Sequence, residues 1–289
     1  MNLFEREFNL KGRGECIYLF PIYDVHYGCR NCNIKQFQNT VRMIAEMPNA
    51  YWFGGGDMIE AINPSDKRFN PQNVDQELIK DIGDLNNLVH KQADGFIKMT
   101  KHIKDKCLFL LEGNHEEKVK LNYHLDITSV IAHELNTVNL GYTAYGKFVF
   151  KRQGANGGKN VKIFASHGDG AGQTTGAKLN RLEKKGEWII ADAYFMGHNH
   201  GLIASQEIVL DIKSQKRLDL MERQKLYCVC GTYLKTYGLN NTGYGEKVGY
   251  KPTPTGSPKI KMIPFDNTYK DGKMIEYPVK FQTEIMTEV

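Results

Sequence analysis

Five apolar runs in this 289-residue chain each stop at a short motif carrying carboxylate, carboxamide or imidazole side chains. The motifs are Asp24-Val25-His26, Gly54-Gly55-Gly56-Asp57-Met58-Ile59-Glu60, Gly113-Asn114-His115-Glu116, Ser166-His167-Gly168-Asp169 and Gly197-His198-Asn199-His200. A strand that ends in glycines hands its next side chain to a sheet edge, where glycine tolerates positive φ and close approach of a ligand. The five motifs run from residue 24 to residue 200, so one fold has to bring them together.

Periodicity says how. Glu15 to Tyr23 is a dense apolar run ending at Asp24, and Ile34, Phe37, Val41 and Ile44 recur at helical spacing before a second run at Tyr51. Strand, helix, strand is a βαβ unit, and catalytic loops belong at the carboxyl ends of its strands. A helical region is expected from Val74 to Lys104, divided at Gly95, and a strand at Cys107 to Leu111. Helices are expected near Glu116 to Lys120 and Asp126 to Leu135, then a hairpin built on Thr143 to Lys151. Gly154 to Gly158 lacks the Lys-Ser/Thr pair of a phosphate loop and reads as a turn. Further strands are expected at Val161 to Ala165, Ala193 to Met196, Gln206 to Ile212, Leu218 to Arg223 and Leu226 to Val229. The chain reads as one domain over 1–289, with 236–289 a Tyr/Gly/Pro-rich extension.

Carboxylate and carboxamide oxygens mixed with imidazole nitrogens suit Mn, Fe or Zn, with Ni also able to use them. One ion would leave donors over. Two divalent ions share them, one through Asp24, His26, Asp57 and His200, the other through Asp57, Asn114, His167 and His198, with Asp57 as the bridge. Paired ions lie roughly 3.5–4 Å apart and clamp the attacking and leaving oxygens of a displacement. A water held between them loses its proton readily, a pKa of about 7 being reached at one well-placed zinc, so a metal-activated hydroxide can attack phosphorus. His115, next to Asn114, is the candidate to protonate the leaving oxygen.

The ordered set Asp24-x-His26, Gly56-Asp57-x-x-Glu60, Gly113-Asn114-His115-Glu116, His167 and Gly197-His198-x-His200 resembles that of the calcineurin-like metallophosphoesterases. The resemblance covers roughly residues 15 to 235. It implies a four-layer α/β/β/α sandwich of two mixed sheets flanked by helices, the same metal ligands, and His115 at the substrate phosphate. The phosphoprotein branch carries Asp-Arg-Gly after its second motif, whereas Ala61-Ile62 follows Glu60 here. The Asp24-Val25-His26-Tyr27-Gly28 start looks more like bacterial or phage-borne phosphodiesterases, and only loosely like the nuclease branch. The expected function is phosphodiester hydrolysis on a nucleotide, cyclic nucleotide or nucleic acid. A phosphomonoesterase and a non-catalytic metal-holding scaffold are the alternatives.

Several features have a plainer reading. Glu60 and Glu116 read as supports for ligands or as helix-start carboxylates rather than as ligands. Asp169 either orients a ligand or is solvated. Lys178, Arg181, Lys184 and Lys185 share a helical face that is either solvated or guides phosphates. The tyrosines from Tyr233 through Tyr237, Tyr244 and Tyr250 either pack the tail or stack on a base, and leave room for a homodimer contact. Cys29/Cys32 and Cys228/Cys230 have zinc-type spacing without zinc-type surroundings and read as free thiols. The mildly basic charge of +5 permits a nucleotide or nucleic-acid partner without requiring one. No secretory start and no membrane-length apolar run is present, so a cytoplasmic protein without a membrane partner is expected.

Overall fold

The computed structural model describes all residues except 63, 65, 67, 213–219, 239–241, 266, 271–272, 277–278 and 288–289, and gives the backbone alone at 82, 244, 267–270 and 273–276. Two mixed sheets lie face to face with helices on both outer faces. The first sheet has five strands in the order β13-β10-β2-β3-β4, namely Lys280–Thr287, Gly256–Ile263, Ile17–Ile22, Ala50–Gly54 and Cys107–Leu110. The second has six in the order β1-β5-β6-β7-β9-β8: Asn2–Leu10, Thr143–Arg152, Gly158–Ser166, Ala193–Met196, Leu220–Cys230 and Leu202–Ile212. A separate hairpin joins β11 (Asn267–Lys270) and β12 (Lys273–Glu276).

The period of two along each strand sorts its side chains between layers. On β7, Ala193 and Phe195 face the other sheet while Tyr194 and Met196 face out; on β9, Leu226, Cys228 and Cys230 face in while Tyr227 and Val229 face out. Between the sheets, Phe53 stacks on Phe109 at 4.7 Å and meets Phe195 edge-on at 5.6 Å. Outside the five-stranded sheet lie α1 (Ile34–Glu46), α3 (Leu88–Thr100) and α5 (Ile127–Glu134), whose Phe37, Val41, Ile44, Phe96, Ile97 and Ile131 are buried in one cluster with Phe20, Ile22 and Trp52. Outside the six-stranded sheet lies α6 (Thr175–Glu183), through Leu182. The remaining helices are α2 (Ile82–Asn86), α4 (Asn114–Tyr123) and α7 (Tyr244–Lys247). Helix α1 starts where the Asn33 side chain accepts from Gln36 N–H, and the Lys106 ammonium takes the carbonyls of Ile44, Ala45 and Met47 at its other end.

Parallel pairing of β2, β3 and β4, and of β6 with β7, sets five carboxyl ends on one side. The ladders continue past the strands. Asp24 N–H donates to Gly56 O, His26 N–H to Asp57 O and Gly197 N–H to His167 O, so the motif loops run side by side.

Two expectations need correction, and two regions supply strands where none was expected. The helical region does not divide at Gly95, which lies inside α3. A β-carbon there would fall 2.3 Å from the Tyr27 ring, so that glycine serves close packing; the break is at Asn87, between α2 and α3, and residues 71–78 make only short 3₁₀ turns. The strands expected at Leu218 to Arg223 and Leu226 to Val229 are one strand, β9, with residues 218 and 219 outside the described part. The N-terminal run is strand β1, paired in parallel with β5 through nine residues. The segment 236–289 supplies β10 and β13, and β10 pairs directly with β2. Among the described residues no helix is long and apolar enough to cross a membrane.

Candidate metal centre

The five loops converge. Asp24 and His26 come from the end of β2, Asp57 from β3, Asn114 and His115 from β4, His167 from β6, and His198 and His200 from β7. Donor atoms of Asp24, His26 and His200 lie within 4.8 Å of one another, as do those of Asp57, His167 and His198, and those of His26, Asp57 and His115. The Asn114 carboxamide oxygen joins the second group, 3.1 Å from His167 Nε2 and 2.8 Å from His198 Nδ1. Asp57 links the groups: its Oδ2 is 3.4 Å from His167 Nε2 and 4.0 Å from both His26 Nε2 and His115 Nε2.

Two of the rings are held from behind. His26 Nδ1–H donates to Glu60 Oε2 at 2.9 Å and His167 Nδ1–H to the Gly55 carbonyl at 2.9 Å, so both turn Nε2 inward. There His26 Nε2 faces His200 Nε2 at 3.3 Å. Asp24 Oδ2 accepts from His198 N–H at 2.7 Å, yet its buried Oδ1 has no hydrogen-bond partner. An orphaned buried carboxylate oxygen costs about 1–3 kcal/mol, more when charged. Opposed ring nitrogens and a buried carboxylate oxygen without a partner are donors that a divalent ion would take up in place of protons, so the donor set fits divalent metal.

The backbone is constrained to the same end. Asp24, His26, Asp57, His198 and His200 all have positive φ, between 49° and 62°. Such a conformation costs a non-glycine residue about 1–2 kcal/mol, and its concentration here marks a site whose geometry is held by its surroundings. Glu116 does much of the holding, its carboxylate accepting from the backbone N–H groups of Asp57, Ile59 and Gly113 at 3.0, 3.2 and 3.1 Å. It ties the β3 loop to the β4 loop. Gly113 is required beside it, because a β-carbon there would stand 2.1 Å from Asp57 Oδ1.

Burial and charge pull the titrating groups apart. Burial pushes Asp24 up to about 7, and pushes Glu116 up to about 7 with the Asp57 charge adding to it. Burial alone would lower His26 and His167, but Glu60 raises the first to about 9 and Asp57 the second to about 10. Burial and the neighbouring rings hold His198 and His200 low, His200 strongly so. Burial opposes the charge of Asp57 too, yet His167 and His115 keep its carboxyl well below the usual range.

His115 is placed differently from a poised acid. Its Nδ1–H donates to the Glu60 carbonyl at 2.5 Å, and its Nε2 lies 3.4 Å from Arg68 Nη1, which can only donate. Both contacts belong to the neutral ring, and burial lowers its pKa further. Arg68 is the residue that sequence reasoning missed; it sits in a polar loop without periodicity, and no local signal marks it.

The plainer features also resolve. Asp169 turns away from the donors and pairs with Arg181 at 3.0 Å and Lys185 at 2.8 Å, which occupies two members of the basic face. Lys178 is buried and Lys184 exposed. Tyr233 is fully buried with its hydroxyl on Thr40 and Ser257, while Tyr237 and Tyr250 are exposed and the Tyr244 side chain lies outside the described residues. The six cysteines are free thiols, and Cys228 and Cys230 belong to the core between the sheets.

No protein-family model matches the chain, and no curated protein matches it. Solved structures with which it aligns include Vacuolar Protein Sorting 29 from Cryptosporidium parvum, at 12% identity over 94% of this chain and 99% of that one, with a TM-score of 0.37. Wild-type Vps29 complexed with Zn²⁺ from Entamoeba histolytica aligns at 11% identity over 93% and 99%, with a TM-score of 0.35. Chaetomium thermophilum Vps29 aligns at 8% over 94% and 97%, with a TM-score of 0.36. Similarity at these scores carries no argument about activity, which has to come from the site itself.

Proposed function

We propose that this chain is a dinuclear metal-dependent phosphoesterase of the calcineurin-like superfamily. One observation carries the reading: two sets of inward-facing donors, Asp24/His26/His200 and Asn114/His167/His198, flank the Asp57 carboxylate, with ring nitrogens and oxygens opposed at 2.8–3.3 Å. Two divalent ions bound there would neutralise charge on a phosphoryl group and lower the pKa of water at the site. Asp57 would serve both ions, with Asp24, His26 and His200 completing one set and Asn114, His167 and His198 the other. Glu60, Gly55 O and Glu116 hold the ligands in place. His115 lines the rim and accepts or relays a hydrogen bond at Nε2.

Phosphodiesters, including nucleotides and nucleic acids, are the first substrate class. A leaving alkoxide needs a proton, and His115 Nε2, 4.0 Å from Asp57 Oδ2, is the ring nitrogen on this rim that would deliver one after first taking it up at Nε2. Phosphomonoesters are the second class, favoured by a specific observation: the Arg68 guanidinium stands at that same nitrogen and suits a dianion. The test is hydrolysis by metal-stripped protein given back Mn²⁺, offered bis-p-nitrophenyl phosphate, p-nitrophenyl phosphate, single- and double-stranded DNA, RNA and cyclic nucleotides. Faster turnover of the diester supports the first class, and a clear preference for the monoester replaces it with the second. Tight metal binding without turnover of any phosphoester would leave a metal-holding scaffold.

A further inference from the structure

Arg68 is held as a functional group is held. Its Nε and Nη2 lie 3.1 and 2.8 Å from the Asp66 carboxylate oxygens, and its backbone N–H donates to the same carboxylate at 2.9 Å. Lys118, from α4, stands 3.8 Å from Asp66 on another side. Two N–H groups in a fork on one carboxylate fix the plane of a guanidinium, and so fix where Nη1 points. It points at His115 Nε2, 3.4 Å away. His115 is itself immobilised, by the Glu60 carbonyl at Nδ1 and by Asp57 Oδ1 at its backbone N–H.

A loop staple explains less of this. Asp66 and Arg68 are two residues apart, so their pairing closes the loop on itself, and the Lys118–Asp66 ion pair is what ties it to α4. Neither needs Nη1, and a long contact with a neutral ring nitrogen is a weak partner for a cation whose side chain is 24% exposed. Arg68 and Lys118 together exceed the charge of Asp66 by one, which leaves a positive rim beside a centre lined by Asp24, Asp57 and Glu60.

We propose that Arg68 Nη1, aimed by Asp66 and paired with His115 Nε2, forms a subsite for a non-bridging oxygen of a substrate phosphoryl group. The inference rests on the phosphoesterase reading of the adjacent centre. The oxyanion takes the Nη1 hydrogen that otherwise faces His115 and is a far stronger acceptor than the ring. Arg68 then binds the group being transferred without touching any metal donor.

The test measures binding and turnover separately. Inorganic phosphate is titrated calorimetrically into Mn²⁺-loaded wild type, Arg68→Ala and Arg68→Lys, with Mn²⁺ affinity measured on each and bis-p-nitrophenyl phosphate turnover assayed in parallel. Loss of one charge-assisted contact should weaken phosphate binding by roughly 10- to 150-fold in Arg68→Ala. Mn²⁺ affinity should stay at the wild-type value, KM should rise more than kcat falls, and added guanidinium ion should restore part of the loss in the alanine variant alone. Arg68→Lys keeps the charge beside Asp66 without the fork and should fall in between. Phosphate affinity unchanged in Arg68→Ala overturns the subsite, even where the wild type turns over substrate. If the wild type hydrolyses nothing while Arg68→Ala still loses phosphate, the phosphoesterase reading fails and the subsite stands.

Discussion

His26 and His200, 174 positions apart in the chain, face each other Nε2 to Nε2 at 3.3 Å. Without metal the raised His26 keeps a proton at Nε2 and shares it with the unprotonated His200. A metal ion would take that proton's place between the two nitrogens. Metal should therefore stabilise the fold: at a concentration about 100 times Kd, the gain is about 2.7 kcal/mol. For a chain of this size that corresponds to a rise in Tm of about 4–5 °C. Thermal unfolding with Mn²⁺ and with EDTA checks it, and equal midpoints would deny the site its metal.

Acidity should act in opposite senses on the metal-free fold and on metal binding. Without metal, Glu60 raises His26 to about 9 and Asp57 raises His167 to about 10, against the desolvation of both. The unfolded-state value is near 6.5, so the folded protein keeps protons that the unfolded chain gives up. The stability these two rings contribute is full below about pH 6.5 and lost as pH climbs through about 9 to 10. A metal ion displaces the same protons, so Mn²⁺ affinity should rise from about pH 6 to about pH 8. Competition titrations at several pH values measure this; affinity falling with pH would reject the assignment of His26 and His167.

Glu116 should matter without touching metal. It is the common acceptor for Asp57, Ile59 and Gly113 N–H groups in a buried position. Glu116→Ala leaves those donors unpaired and should cost about 3 kcal/mol or more, while Glu116→Gln, which keeps one oxygen, should cost less. Denaturant midpoints rank the two, and equal stability of Glu116→Ala and wild type would remove its role as the tie between loops.

The left-handed residues make a separate prediction about strain. His198 sits at φ 62°, where glycine is at ease and alanine is not. His198→Gly should be more stable than His198→Ala by about 1–2 kcal/mol in the metal-free protein, and both should bind metal poorly. Urea unfolding of the pair decides it, and a less stable glycine variant would show that the backbone there is not strained.

What could be read from residues alone follows from how local each signal is. Every donor from Asp24 to His200 stands at the end of an apolar run, so chain order and periodicity were enough to group them. β1 escaped because it is an edge strand with most residues exposed, and its Glu5 and Glu7 interrupt any apolar pattern. β10 is an inner strand, between β13 and β2, and escaped because Lys259 and Lys261 alternate with Ile260 and Met262 and break up the apolar run. Gly95 looked like a helix breaker, since nothing nearby announces that the Tyr27 ring comes to rest against it. Arg68 is the most consequential omission. An arginine two residues after an aspartate in a polar loop is unremarkable until folding puts it 3.4 Å from a histidine that lies 47 positions away. It also changes an argument, because the missing Asp-Arg-Gly no longer means that the rim lacks a guanidinium.

The most direct test of the account is the rate of bis-p-nitrophenyl phosphate and p-nitrophenyl phosphate hydrolysis by Mn²⁺-reconstituted wild type and Asp57→Asn, with bound metal counted per chain. Asp57 is the carboxylate shared by both donor sets, so its loss should remove several kcal/mol of transition-state stabilisation, about 100-fold or more in rate, and lower the metal count from two. A variant that keeps the wild-type rate and still binds two ions would contradict the proposed centre.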